Sequence, residues 1–384
     1  VRITTPAWIP GAGAHQAVAL EVLLRGPISR SDIARRLQLS PGSLTRLSTP
    51  LIESGLLVEV GERGDGRAGR PSRPLDVVPS SRHFIGMKLM GDQVLGALTD
   101  LRADVLHSAS ARFDSQRPDR VVEAIAAIAA ELAARVPEVT ALGIGVGGLL
   151  DDHGTVVSAP FLEWEDVPLG SLVEAATGIP TVVSNDLVAF TEYEHWFGAA
   201  RELDRFAVVT LGAGIGYGLV ANGAVVAGPD SGIGLVGHWP LDPYGPVCPS
   251  GHRGCARSIL TQAAIVTAVS TALDRPVDYE EALDLAVAGE AAARRVVDDA
   301  GRGLGRLLAA VANLTVPQMI VLGGEGVRLV DVARDAVLEG LALDRDARAR
   351  EVPLVTTTGD NTEWCRGAAV IAIQTHVLGA ARQA

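Results

Sequence analysis

His238, Cys248, His252 and Cys255 fall within one short stretch of the chain. Thiolates and imidazoles are what zinc binds, and a chain with only three cysteines has no disulfide framework to build, so the pattern fits a metal site better than a redox staple. A second chemistry is carried by glycines that follow apolar runs: Gly143-Ile-Gly-Val-Gly-Gly148, Gly212-Ala-Gly-Ile-Gly-Tyr-Gly218 and Gly323-Gly324. Glycine turns after strands let backbone N–H groups approach a phosphate or a sugar, although any tight turn also asks for glycine. A third set lies near the start of the chain, where Arg30, Ser40, Ser43, Thr45, Arg46, Ser48, Arg70 and Arg73 offer the short polar and guanidinium groups that meet phosphates and base edges.

The elements that must position these residues follow from length and pattern. A chain of 384 residues holds two to three domains at roughly 150 residues each. No apolar run reaches the ~18–20 residues of a membrane span, and Glu21 interrupts the only N-terminal apolar stretch that could serve as a secretory signal, so a cytoplasmic protein is expected. The net charge of −12 argues against nucleic acid only if charge is evenly spread, and it is not. Residues 1–82 carry eleven arginines against seven acids, a surplus of four, which leaves −16 for the remainder. A basic head joined to an acidic body is the signature of a polyanion-binding module on a body that is not one.

Within the head, helical spacing runs from about Ala14 to the Gly26-Pro27 break. Ser29, with Asp32 three residues on, caps a short second helix, and Ser40-Pro41 opens a third that carries Ser43, Thr45 and Arg46 on its polar side. Pro50 should end or kink that helix near Thr49. Strands over Leu56 to Val60 and Leu75 to Val78 flank a Gly/Arg-rich tip from Gly61 to Arg70, and the set predicts a winged helix-turn-helix with Gly69-Arg70-Pro71 at the wing. Beyond Pro79-Ser-Ser81, apolar strands alternate with Ala-rich helices, an α/β pattern. Strands are expected at Phe84 to Leu89, Ala141 to Val146, Thr181 to Ser184, Phe206 to Leu211, Gly218 to Val220 and Met319 to Leu322. Helices are expected at Arg120 to Arg135, Thr191 to Phe197, Ala263 to Leu273 and Ala291 to Leu314. The recurring glycine turns hint at two related lobes.

These residues resemble the ROK family of bacterial sugar kinases and sugar-responsive repressors over nearly the whole chain. The resemblance rests on the Gly143–Gly148 run followed by Ala159-Pro160, on Asn185-Asp186, Glu194-His-Trp-Phe-Gly198, Thr210-Leu-Gly-Ala-Gly-Ile-Gly216 and Gly237-His238. It extends through Cys248-Pro-Ser-Gly-His-Arg-Gly-Cys255 and Val316-Pro-Gln-Met-Ile-Val-Leu-Gly-Gly324. It implies an actin-like, hexokinase-type body of two lobes behind the winged helix, with domains at 1–80, 83–190 together with 368–384, and 191–367. It also implies a ligand set of Gly147, Gly148, Asn185, Asp186 and His238, joined here by Arg257 where the family has a glutamate. Family kinases use an aspartate in the first turn to organise Mg-ATP; Lys88, the only lysine of the chain, stands there, with Met90 and Asp92 at a glycine and a threonine. Ala213 replaces a threonine of the second loop, Phe161 an asparagine and Leu235 a glutamate. Asp186 matches the kinase base, yet no ATP is expected to bind and no catalytic residue is assigned. Arg257 favours an anionic ligand or points to solvent. The family's zinc ligands are matched by His238, Cys248 and Cys255, while Ser250 replaces the third cysteine, so His252 or a water completes a tetrahedral site.

The resulting expectation is a cytoplasmic transcriptional regulator, a repressor of carbohydrate-related genes, that binds an operator in double-stranded DNA as a homodimer or homotetramer and senses a sugar or sugar-derived ligand. An active sugar kinase with an accessory DNA domain, and an effector-blind regulator with a vestigial pocket, are the alternatives.

Overall fold

The computed structural model of the chain describes residues 13–61, 73–228 and 230–378. Arg70 and most of the expected wing tip lie outside these residues. The head is formed by α1 (Ala14–Arg25), α2 (Arg30–Arg36) and α3 (Pro41–Glu53), followed by the antiparallel pair β1 (Leu57–Glu59) and β2 (Leu75–Val77). Local chemistry sets the starts of its helices. Ser29 Oγ accepts the Asp32 N–H, Ser40 Oγ accepts the Ser43 N–H, and Pro41 occupies the first turn of α3, where its missing N–H costs nothing. The expected break at Pro50 does not occur, and α3 runs on to Glu53. Leu47 and Leu51 on either side of the proline pack into the core of the head, and the Ser54 N–H bonds the Pro50 carbonyl at 3.0 Å, so tertiary burial carries the helix past the lost hydrogen bond.

The body supplies two five-stranded sheets. The first uses β3 (Phe84–Leu89), β4 (Gln93–Thr99), β5 (Val105–Arg112), β6 (Ala141–Val146) and, after a small sheet of β7 (Leu149–Leu150), β8 (Val156–Ala159) and β9 (Trp164–Val167), β10 (Thr181–Asn185). Helices α4 (Pro118–Ala133), α5 (Leu169–Thr177) and α6 (Asp186–Trp196) accompany it. The second sheet uses β11 (Phe206–Leu211), β12 (Ile215–Ala221), β13 (Ala224–Val225), β14 (Ile320–Gly323) and β15 (Leu354–Thr356). Its helices are α7 (Ala256–Leu260), α8 (Gln262–Leu273), α9 (Tyr279–Val287), α10 (Ala291–Thr315), α11 (Arg328–Val332) and α12 (Arg334–Leu343), and α13 (Thr362–His376) closes the series. Both sheets are wired alike. In each, the first three strands form an antiparallel meander, and two further strands add in parallel on the other side of the first. This duplicated wiring is the actin-like plan expected of two related lobes.

The chain divides into two compact units, one holding the described residues up to 197, 227–228 and from 362 onward, the other holding 198–226 and 230–361. The expected boundaries at 190/191 and 367/368 would cut α6 and α13, whose continuous hydrogen bonding keeps each helix in one unit. The head belongs to the first unit and shares its core. One apolar cluster runs from Val18, Ile33 and Leu44 through Leu75 and Val77 to Phe84, Leu101, Trp196 and Ile373. Arg102 fastens the same junction, reaching Asp76 Oδ1 at 2.5 Å and the Gly26 carbonyl at 3.2 Å. The second unit has a core of its own around α10, with Val297, Leu304, Leu308, Leu322 and Val337 fully buried.

The first glycine run needs a different explanation from a turn. Gly143 and Gly145 lie inside β6, not after it. A Cβ on Gly143 would overlap the Ala368 carbonyl of α13, and one on Gly86 of β3 the Cys365 carbonyl, so glycine here lets a helix lie on the sheet at backbone distance.

Candidate functional site

On the head, Ser40, Thr45 and Arg46 are exposed along α3 and Ser43 is half-buried. Arg46 forms no ion pair among the described residues, which leaves its guanidinium available. Other expected contacts are engaged elsewhere. Ser48 is fully buried and accepts from Arg30 Nη1 at 2.9 Å, so it braces the helix pair and does not face a groove. Arg30 also bonds Glu59 at 2.5 Å, and Arg73 stands 3.7 Å from the same carboxylate. These two arginines lie at the wing side of the head with part of their charge cancelled.

In the first unit, β10 delivers Asn185 and Asp186 to the N-terminus of α6. Asn185 is spent on structure: its Oδ1 accepts the N–H groups of Leu187 and Val188, and its Nδ2 donates to the Gly148 carbonyl at 3.1 Å. It fixes the loop that holds Gly147 and Gly148, with at most one amide hydrogen left for a ligand. Asp186 turns the other way. One oxygen accepts the Leu187 N–H at 2.8 Å, and the other takes a hydrogen bond from the Lys88 ammonium. Gly147 lies beside it, where a Cβ would come 3.3 Å from Oδ2. Lys88 in turn sits 4.4 Å above the ring of Trp364, which packs against Phe190 with centroids 4.8 Å apart. The lysine and aspartate side chains are only 13% and 15% exposed, so the pair is shielded from water and from salt.

Two turns further along α6, Glu192 is 3% exposed, and its Oε2 accepts a hydrogen bond from the Gln374 side-chain amide of α13 at 3.0 Å. Burial pushes its carboxyl up to about 7, which the Gln374 amide only partly offsets. Because the folded state holds this proton more tightly than the unfolded chain, stability is greatest below the ordinary value near 4.5 and is lost as pH rises toward 7. Glu192→Gln should flatten that decline, gaining on the order of 1–3 kcal/mol at pH 8 relative to the parent, as read from urea midpoints at pH 5 and pH 8.

In the second unit, a tight reversal builds the His/Cys cluster. Cys248 N–H bonds the His252 carbonyl at 2.8 Å around left-handed Gly251, and isolated bridges join Val247 to Arg253 and Pro240 to Cys255. Cys248 Sγ lies 3.6 Å from His252 Nδ1 and 3.8 Å from His238 Nδ1, and the donor atoms of these three fall within 4.8 Å of one another. Cys255 Sγ is 4.0 Å from His238 Nδ1, and its thiol also lies within hydrogen-bonding reach of Cys248. Zinc bond lengths imply ligand separations of about 3.6 Å across a tetrahedron, so the donor set fits. Burial raises the Cys248 thiol, but hydrogen bonds from the His252 side chain and from the backbone of His252 and Ser250 outweigh it and bring it down to about 7. Desolvation, then His252 and Arg257, hold the His238 ring below its usual range. A thiol that ionises readily and an imidazole that stays neutral are the states a metal requires. Ser250 is exposed, and so is Arg257, at the start of α7 beside Gly237.

A model of the ROK family matches residues 84–375. The chain belongs to the ROK family. Its sequence is 26% identical to the DNA-binding transcriptional repressor Mlc of Escherichia coli K12, over 90% of this chain and 89% of that protein. It is 30% identical to the DNA-binding transcriptional dual regulator NagC of the same strain, over 78% of this chain and 77% of NagC. A solved ROK family transcriptional regulator, a homologue of the E. coli MLC protein, superposes with a TM-score of 0.81 at 26% identity and covers 95% of this chain and 96% of its own. The family and fold expected from the glycine, Asn-Asp and His/Cys motifs are thus borne out. Among the described residues no helix is long and apolar enough to cross a membrane.

Sequence reasoning missed Trp364, Gln374 and Arg102. Trp364 carried a usable signal, as one of five tryptophans in a chain that is only 4% aromatic. The other two look like ordinary surface residues until the fold brings them to their partners.

Proposed function

We propose that this ROK protein is a cytoplasmic DNA-binding transcriptional repressor of carbohydrate-related genes, whose body senses a sugar or sugar-derived ligand without phosphorylating it. The observation that carries the non-enzymatic part is the Lys88 ammonium on the Asp186 carboxylate. A sugar kinase needs that carboxylate free to take a hydroxyl proton and needs a cation-binding acid nearby for the nucleotide's metal. Here the acid at the metal position is replaced by a cation, and that cation occupies the lone pair the base would use. Asp186 then serves as a hydroxyl acceptor for a bound ligand, and Gly147 keeps the space beside it open. His238 and Arg257 are assigned to ligand binding in the second unit. His238, Cys248 and His252, with Cys255 or a water as the fourth donor, would hold a structural zinc that pins the Val247–Arg253 reversal.

The DNA reading rests on the exposed polar side of α3 and on the relatives. Ser40, Ser43, Thr45 and Arg46 face a major groove, while Arg30, Arg73 and Arg70 add phosphate contacts toward the wing. A second copy of the chain would read the second half-site of a palindromic operator. Ligand acts by binding the DNA-competent and DNA-incompetent states unequally. The test is fluorescence anisotropy of the protein with its own upstream DNA across a salt series. Affinity should fall steeply with salt, and Arg46→Ala should weaken it about 10- to 100-fold. Absence of saturable binding at low salt, with and without sugars, sinks the reading.

A further inference from the structure

The loop Gly212–Gly214 joins β11 to β12; Gly212 spends its N–H within the turn, on the Gly214 carbonyl at 3.1 Å, and the exposed Ala213-Gly214 backbone is left as a small cradle for an anion. The cradle already has an occupant. Glu325, which follows Gly323-Gly324 at the end of β14, turns its carboxylate onto the loop, where Oε1 accepts the Ala213 N–H at 3.0 Å. Both carboxylate oxygens stand so close over Gly212 that a Cβ there would overlap them. Strand pairing explains the meeting: β11 and β14 are parallel neighbours with Thr210 opposite Gly323, so the turns that follow them lie side by side. The backbone that presents Glu325 is held from several directions. Gln262 donates its side-chain amide to the Glu325 carbonyl at 3.1 Å and its own N–H to the Gly212 carbonyl at 3.1 Å. The Tyr279 hydroxyl donates to the Gly326 carbonyl at 2.7 Å, and the Gly326 N–H bonds the Leu211 carbonyl at 2.7 Å. No arginine or lysine among the described residues pairs with Glu325, so the glycine loop is its anchor.

We infer that Glu325 is a built-in anion that fills the phosphate cradle of the second unit and excludes phosphate-bearing ligands, nucleotides included, from it. A carboxylate offers backbone N–H groups the same charged oxygens that a phosphate does. Tethered next to the loop, it competes at a high effective concentration, and its charge opposes a second anion at contact distance. The inference deepens the non-enzymatic reading of the body, since it removes the nucleotide's phosphate site independently of what Lys88 does to Asp186. It also bears on the effector: a sugar phosphate gains nothing from this loop.

The test titrates inorganic phosphate and metal-free ATP into the full chain, followed by calorimetry. The parent should show no saturable binding at the loop. Glu325→Ala should bind phosphate about tenfold or more tightly than the parent, because the competing state is removed. Adding Gly212→Ala, whose methyl refills the vacated space, should abolish the gain. Glu325→Gln, which keeps the shape and loses the charge, should show a smaller gain and serves if the alanine variant does not fold. Phosphate binding by a folded Glu325→Ala or Glu325→Gln no better than the parent overturns the inference, as does ATP binding by the parent as tight as by the variants. DNA binding measured on the same samples keeps the two readings apart: its loss in the parent would sink the regulator while leaving the cradle result intact.

Discussion

Gly143→Ala should cost about 3 kcal/mol or more, at the upper end of what overpacking a core does, and should lower the urea midpoint accordingly. Most overpacked sites relax by turning a side chain aside. Here the obstacle is the Ala368 carbonyl, part of the hydrogen-bonded spine of α13, with the Ala372 methyl 3.4 Å away on the same side. The added methyl can be accommodated only by lifting α13 from β6 or by bending the strand. Both moves disturb a core in which Ile144, Ala368 and Ile373 are buried almost completely. The comparison is Gly42→Ala in α3, where nothing lies within 4 Å of the new methyl and a better helix former should be neutral or stabilise by up to about 1 kcal/mol. A Gly143→Ala protein as stable as the parent would show that α13 does not lie on the sheet as described.

Lys88→Met should destabilise the protein by about 3 kcal/mol, and Asp186→Asn in the same chain should restore most of that loss. Methionine preserves the length and apolar stem of lysine, so packing under Trp364 changes little. What changes is the Asp186 carboxylate, left shielded from water with only the Leu187 N–H and the start of α6 to stabilise it. Removing the carboxylate alone is also unfavourable, because it leaves an ammonium facing the positive end of a helix. The double variant carries neither charge. A double-mutant cycle should therefore give a coupling of about 2 kcal/mol, and a coupling near zero would mean that the pair is not formed in solution. Lys88→Met frees the Asp186 carboxylate but regains no metal-binding acid, so it should still turn over no ATP.

Which features could be read from the sequence follows from how far apart the cooperating residues are. Ser29 and Ser40-Pro41 cap helices with groups three residues away, and they place α2 and α3 correctly. The strands Ala141–Val146 and Phe206–Leu211 are buried along their whole length, and Phe84–Leu89 everywhere but at Lys88, so they announce themselves as apolar runs. β5 escaped notice because Val105–Arg112 is largely exposed and reads as a polar loop. The helix-breaking rule for proline is local and fails at Pro50, where burial of Leu47 and Leu51 decides. The glycines of β6 misled in another way, since a close helix and a tight turn ask for the same residue. Lys88 and Asp186 were each singled out, but their pairing spans 98 residues and depends on β3, β6 and β10 lying side by side in one sheet. Glu325 was invisible as an occupant for the same reason, being 112 residues from the N–H it accepts.

The cluster that runs unbroken from Val18 to Ile373, pinned by Arg102, means that the head is not a portable module. A head cut off after Pro79 would bare the faces it shares with Phe84 and Leu101, and a head borrowed from another regulator would have to match that surface before it could read any operator. On the DNA reading proposed above, variation in recognition would then fall to the outward side of α3, while the inward half of the same helices is held by the fold beneath.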